Sequence, residues 1–212
     1  MAGHSHRQRN IPLIDLIERQ GLNSMKKSFI LAILALTSAV YCAENLVKNG
    51  DFSKVTADGK AENWTAWPQK LAAGVKVEVD KNTGHNDDQS MVISNPAKKY
   101  YTRIDQLNIP VKPNTKYMFR VFIKGMNLEH SKKCGSARVF IGANGKVDKP
   151  VALVGPGLQR GKEKAVDPWS FDWREYKTTF NSKKNTSIGL SIYLHFTRGT
   201  IWIDDVELVE VK

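Results

Sequence analysis

From residue 44 onward, apolar and polar residues alternate in short runs separated by Gly, Pro, Asn and Asp. The alternation has period 2, and no long segment of period 3.6 is present, so an all-β domain is predicted. The clearest strand is 117–124, where Tyr117, Phe119, Val121 and Ile123 share one face and Arg120, Phe122 and Lys124 the other. In 188–195, Ile188, Leu190, Ile192 and Leu194 face a core while Gly189, Ser191, Tyr193 and His195 face away. Val75, Val77 and Val79 alternate with Lys76 and Glu78, and Met91 and Ile93 point inward from 90–93. In 100–109, Leu107 and Ile109 share a phase opposite to Ile104, Gln106 and Asn108. Residues 45–53 are predicted as an opening strand anchored by Leu46 and Phe52 and ending in an Asn-Gly turn. Residues 138–141 and 173–180 add two more strands, and 142–169 is expected to be mostly loop.

The last strand, 199–211, places Trp202, Asp204, Val206 and Leu208 in one phase that is apolar except for Asp204. A carboxylate pointing with a core stripe is costly unless it is paired, hydrogen-bonded or bound to a cation. With about nine strands and turn signals between them, the pattern describes a β-sandwich.

Composition adds that the chain can bury a sizeable core: 41% of its 212 residues are hydrophobic, with five Trp and eight Phe. Trp64 is read as core, and Trp67 as suited equally to packing or binding. Residues 25–43 have the three parts of a secretory signal, namely Lys26 and Lys27, an apolar run from Phe29, and the small residues Ser38, Ala39 and Ala43. That run is too short to span a bilayer, so no transmembrane segment is expected in the mature chain. Residues 1–24 are expected to be an extension upstream of the true start at Met25, leaving 44–212 as the domain. The protein is therefore expected to be secreted or in the cell envelope. Lipid anchoring at Cys42 is the weaker alternative, and the pairing of Cys42 with Cys134 depends on where cleavage falls.

The chain has 32 basic and 21 acidic residues; 1–43 hold five and two of these, so the domain keeps a net charge near +8. The basic residues are scattered and not interleaved with aromatics along one face, which argues against nucleic acid as the partner.

An ordered set of motifs carries a family resemblance. It comprises Asn49-Gly-Asp-Phe52, Ser90-Met-Val-Ile93, Gln106 before Pro113 and Tyr117, the 117–125 strand, Trp173 with Tyr176 and Phe180, and the Gly199 to Leu208 segment. Together they resemble the cenC-like carbohydrate-binding modules of families four, nine and twenty-two. The resemblance implies a jelly-roll β-sandwich of two antiparallel sheets, a structural calcium near the chain ends, and a sugar cleft on a concave sheet. It implies Asp204 as a calcium ligand, with Asp51 or Ser53 and Asp87 or Asp88 beside it. Ser53 departs from the family, where Glu often follows the Phe.

The expected ligand is a β-linked polysaccharide or oligosaccharide, bound by a monomer. Gln106, Arg120, Phe122, Tyr193 and His195, each read as opposite the core phase of its strand, are the candidate contacts, with Trp169 and Tyr100 at the rim. Stacking aromatics and planar polar groups suit pyranose rings and their hydroxyls. No acidic pair at glycosidase spacing falls on those phases, so a non-catalytic module is expected, and a glycoside hydrolase or a sugar-free envelope domain is the alternative.

Overall fold

The computed structural model describes residues 44–131, 135–156 and 169–211. The upstream extension, the signal segment, Cys42 and Cys134 lie outside the described residues. All regular structure among the described residues is strand: β1 Thr65–Trp67, β2 Lys76–Asp80, β3 Ser90–Asn95, β4 Tyr101–Pro110, β5 Lys116–His130, β6 Ser136–Ala143, β7 Pro150–Val154, β8 Trp169–Asn181, β9 Ser187–His195 and β10 Thr197–Glu210. They form two five-stranded sheets, β1-β4-β9-β6-β7 and β2-β3-β10-β5-β8, with every neighbouring pair antiparallel. The fold is an all-β sandwich, as the alternation predicted, with the two antiparallel sheets of the jelly roll that the resemblance implied.

The core lies between the sheets. Phe119, Val121 and Ile123 of β5 and Ile201 and Ile203 of β10 meet Ile104 of β4, Ile192 and Leu194 of β9 and Val139 and Ile141 of β6, all essentially inaccessible to solvent. Each such side chain contributes roughly 1.5–3 kcal/mol on burial, before the entropy of ordering it. Met91, Ile93, Tyr117, Ile188 and Leu190 also point inward as predicted.

Of the register shifts between strands, two bear on the faces predicted from the sequence. In β4 the register with β9 shifts between Gln106 and Ile109, where Leu107 is 48% exposed and Asn108 has a φ of 57°. Ile104 and Ile109 therefore both face the core, although they are five residues apart. In β10 the register with β5 shifts between Asp204 and Glu207, and Asp205 has a φ of 47°. Upstream of that bulge Ile201 and Ile203 are the inward residues; downstream of it Val206 and Leu208 are. Trp202 and Asp204 are thus on the phase opposite the core, which corrects the single stripe read from the sequence. An extra residue shifts every later side chain to the other face.

The opening segment is also corrected: 45–53 is not a strand but a run of turns bound along β10. Leu46 donates its N–H to the Leu208 carbonyl, and Gly50 accepts from Val206. Asn45 accepts from the Leu208 amide and donates to the Val206 carbonyl. Asn49 holds the following turn by accepting from Lys54 N–H and donating to the carbonyls of Lys54 and Glu62. Phe52, fully buried, packs on Trp64 at 5.4 Å between ring centroids, so Trp64 is core. The stretch expected to be loop after Ile141 contains β7.

Candidate functional site

The outer face of the first sheet is assembled by register. Trp67 of β1 is opposite Arg103 of β4, which is opposite Tyr193 of β9, which is opposite Arg138 of β6. The adjacent row runs Thr65, Asp105, Ser191, Phe140, Leu153, and on the other side Tyr101 is opposite His195, which is opposite Ser136. These residues alternate with inward Ile104, Ile192 and Val139, so they share the side away from the core. Five strands at about 4.8 Å spacing make this face about 19 Å across, long enough for several sugar rings.

The aromatic groups form one platform. Trp67, 43% exposed, lies 5.2 Å from Tyr101; Tyr101 stands edge-on to Tyr193 at 5.9 Å and to His195 at 4.7 Å. The Arg103 guanidinium sits 4.9 Å from the Trp67 ring centroid and 5.6 Å from that of Tyr101. It donates to Asp105 Oδ2 at 2.9 Å and to the Tyr101 hydroxyl at 3.0 Å. Burial pulls the Arg103 pKa down, but the Tyr101 and Asp105 contacts outweigh it and hold the guanidinium above its ordinary value. Burial pushes the Tyr193 hydroxyl up, against the opposing pull of the Arg138 charge and a hydrogen bond with Ser136.

Two buried polar atoms on this face have no hydrogen-bond partner, Asp105 Oδ1 and Ser191 Oγ. Asp105 is 7% and Ser191 1% exposed. A buried acceptor or hydroxyl left unsatisfied costs about 1–3 kcal/mol, so each calls for a partner from outside the fold. A cluster of aromatic rings set at steep angles to one another, a cationic fork, an unsatisfied carboxylate oxygen and an unsatisfied hydroxyl together can cover a sugar ring and bond its hydroxyls.

Of the residues singled out from the sequence, the structure brings Tyr193 and His195 to this platform. Tyr100, half-buried, precedes β4, and its carbonyl accepts from Phe196 N–H. Gln106 is not on the face: it is 6% exposed and clamps the opening segment, accepting from Lys48 N–H and donating to the Lys48 carbonyl. Arg120 and Phe122 belong to β5 of the other sheet, on the far side of the core. There Phe122 stacks on His85 at 3.7 Å, and Arg120 makes a two-pronged contact with Glu207 at 3.1 and 2.7 Å. The backbone of Trp169 pairs with Leu128 in that same second sheet, and its side chain is outside the description. The single cleft expected from these residues is therefore divided between two faces. Sequence reading missed Tyr101, Arg103, Asp105 and Arg138. The first three share a phase opposite to Ile104, a signal obscured because the bulge had been read as continuous alternation.

At the chain ends, Asp204 is 1% exposed and accepts from the N–H groups of His85 and Asp205, both at 2.8 Å. Burial pushes its carboxyl up to about 6, and the nearby charges of Asp205 and Asp87 add to the rise. Asp51 and Asp87 each accept a local backbone bond, from Ser53 and Gln89. No group of three His, Cys, Asp or Glu side chains positioned to hold a metal occurs among the described residues. Beside this region, Asn45, Asn49, Gly50, Asp51, Ser53, Asp205 and Glu207 line an open polar groove of about 340 Å³. The donors fit a hard cation that takes one buried carboxylate and otherwise backbone or water oxygen.

Comparison with known proteins agrees with the fold. A family described as carbohydrate binding domain matches residues 44–147. Among solved structures, the enzymatically active domain of tailspike protein 4 of bacteriophage CBA120 superposes with a TM-score of 0.54 and 15% identity, over 79% of this chain and 21% of that one. This chain thus spans about a fifth of the tailspike's length. A family 4 carbohydrate-binding module superposes with a TM-score of 0.50 and 16% identity, over 78% of this chain and 99% of that one. The xylan-binding domain CBM22-1 of Paenibacillus barcinonensis Xyn10C gives 0.47 and 16%, over 80% and 96%. No curated protein matches. The resemblance to cenC-like carbohydrate-binding modules holds in both the family match and the fold.

Proposed function

We propose that this domain is a non-catalytic carbohydrate-binding module whose ligand lies across the outer face of the first sheet. The observation that carries the reading is the pair of buried, unsatisfied atoms Asp105 Oδ1 and Ser191 Oγ, set among Trp67, Tyr101 and Tyr193. The ligand is a β-linked polysaccharide or oligosaccharide, held by stacking and by hydroxyl contacts. Asp105 supplies this face with one carboxyl, already bonded to Arg103, whereas glycoside hydrolysis uses two carboxyls about 5–9.5 Å apart. Export and action as a monomer complete the proposal; no helix among the described residues is long and apolar enough to cross a membrane.

We also propose a calcium ion at Asp204, with Asp205 and Asp87 the further carboxylates whose charges act on it. A calcium there supplies a compensating charge for a carboxylate otherwise met by N–H groups alone among its described bonds. The chain's own residues do the rest: Asn45, Gly50 and Val206 lock the opening segment to the bulge of β10.

The test is affinity electrophoresis of residues 44–212 in gels containing soluble β-glucans, xylans, galactans and acidic polysaccharides. Retardation by at least one glycan is expected. Free migration across the whole panel would end the sugar-binding reading and favour an envelope domain that uses the sandwich for protein contacts.

A further inference from the structure

We infer that the preferred ligand is a glycan carrying short O-acyl esters, with an acyl group seated on Phe140 and Leu153 at the β6–β7 end of the face. This rests on the sugar-binding reading of the same face and narrows its ligand class. The row Thr65, Asp105, Ser191, Phe140, Leu153 changes character along its length. Its first three members carry hydroxyl or carboxylate oxygens, and two of those oxygens lack a partner within the fold. Its last two carry only hydrocarbon, Phe140 half-buried and Leu153 46% exposed. An exposed leucine alone means little. Here it extends a row that already offers unsatisfied groups to a ligand, and it stands opposite Phe140 of the neighbouring strand.

The apolar end is small, and its size limits what it can take. Along the outward phase of β6, Phe140 is bordered on one side by Arg138 and on the other by Gly142. Over Gly142 and Gly189 the turn after β6 lies so close that a Cβ at either glycine would come within 1.8 or 3.0 Å of the Lys146 carbonyl oxygen. The apolar surface is therefore one row wide, about 7 Å between like-facing residues of a strand, and two strands long, at about 4.8 Å per strand. It admits an acetyl group or a similarly short acyl chain and is too small for a lipid tail. A sugar ring that laid free hydroxyls on Phe140 and Leu153 would give up their bonds to water, and neither side chain could replace them. Esterification removes the hydroxyl's donor and adds a methyl group to bury. Covering about 40 Å² of apolar surface in this way corresponds to roughly fivefold in affinity. Hydroxyls nearer β4 stay free for Asp105 and Ser191.

The experiment measures retardation of the full chain by a soluble β-glucan, a xylan and a galactan, each before and after light O-acetylation, so that the sugar backbone and its charge are held constant. Leu153→Asn, Leu153→Thr and a control that truncates an exposed apolar side chain of the second sheet, Met126→Ala, are run beside the wild type. Thermal melts confirm that each variant is folded. The expected result is that the acetylated form of a binding glycan retards the protein at about fivefold lower concentration than the unmodified form. Leu153→Asn should abolish that preference while affinity for the unmodified polymer stays within about twofold, and Leu153→Thr should reduce it. Met126→Ala should leave it unchanged. Equal or stronger binding of the unmodified polymer overturns the inference and leaves the sugar-binding reading intact. A preference that survives Leu153→Asn, or that Met126→Ala lowers as much, also overturns it, as general apolar attraction. Absence of retardation by every polymer, acetylated or not, sinks the sugar-binding reading first and this inference with it. If Leu153→Asn fails to fold, the wild-type comparison and the Leu153→Thr series still decide.

Discussion

Asp105 and Ser191 face each other across β4 and β9, and each keeps a buried oxygen without a hydrogen-bond partner. A fold that leaves two such atoms side by side carries a cost that a ligand's hydroxyl groups can relieve. Ser191→Ala removes one of them and no bond within the protein is lost from that oxygen. The expected outcome is a stability change within about 0.5 kcal/mol, together with glycan affinity reduced by about 1 kcal/mol, or roughly fivefold. Urea titration and affinity electrophoresis on the same sample check both parts. A large stability loss with unchanged binding would show that the hydroxyl serves the core.

The two outer faces should respond differently to loss of an aromatic. Trp67→Ala or Tyr193→Ala is expected to weaken glycan binding by about 2 kcal/mol, the order expected for loss of a stacked aromatic surface. Phe122→Ala, which removes the stack on His85 on the opposite sheet, is expected to cost about 1–2 kcal/mol of stability and to leave retardation by glycan unchanged. Loss of binding in the Phe122 variant would move the site to the other face.

Calcium should stabilise the domain through Asp204. For extracellular sites with dissociation constants of about 0.1–1 mM, about 10 mM calcium adds roughly 1.4–2.7 kcal/mol. The expected result is a melting temperature that rises with calcium and falls with chelator in the wild type, and does neither in Asp204→Asn. A melting temperature indifferent to calcium in the wild type would remove the metal from the account. Magnesium is the control for ionic strength.

His130 sets a limit on the acid side. It is 8% exposed and its Nδ1 lies 2.7 Å from Thr197 Oγ1. Burial first, and the Arg138 charge second, push its pKa from 6.5 down to about 4. The unfolded chain therefore binds this proton more readily than the folded one. The stabilising contribution is complete above pH 6.5 and is lost as the pH falls from there toward 4. By pH 5 the loss is about 2 kcal/mol. Urea midpoints at pH 7 and pH 5 should show it, and His130→Gln should reduce the difference. An equal decline in the variant would assign the acid sensitivity to carboxylates instead.

Much of this architecture was legible in the chain because burial of one strand face forces a period of two. In β5 and β9, which are regular over their central residues, the inward set Tyr117, Phe119, Val121 and Ile123 and the inward set Ile188, Leu190, Ile192 and Leu194 follow directly from alternation. The opening motif was readable as a tie but not as its kind: Asn45, Asn49 and Gly50 make their bonds to distant β10 and to a local turn, so the segment is held without being a strand.

What the chain determined by itself was which residues of a regular strand share a face, and hence that two apolar surfaces must meet in an all-β sandwich. The tertiary structure alone decided the rest. Alternation does not say which strands become neighbours, so Phe122 and Tyr193, alike in phase, ended on opposite sides of the core. Nor does it announce a bulge: the inserted residues at Asn108 and Asp205 reverse the phase, sending Trp202 and Asp204 outward and Gln106 into the clamp on Lys48. Pairing and register are set by contacts between strands far apart in sequence, and those contacts exist only once the sheets have formed.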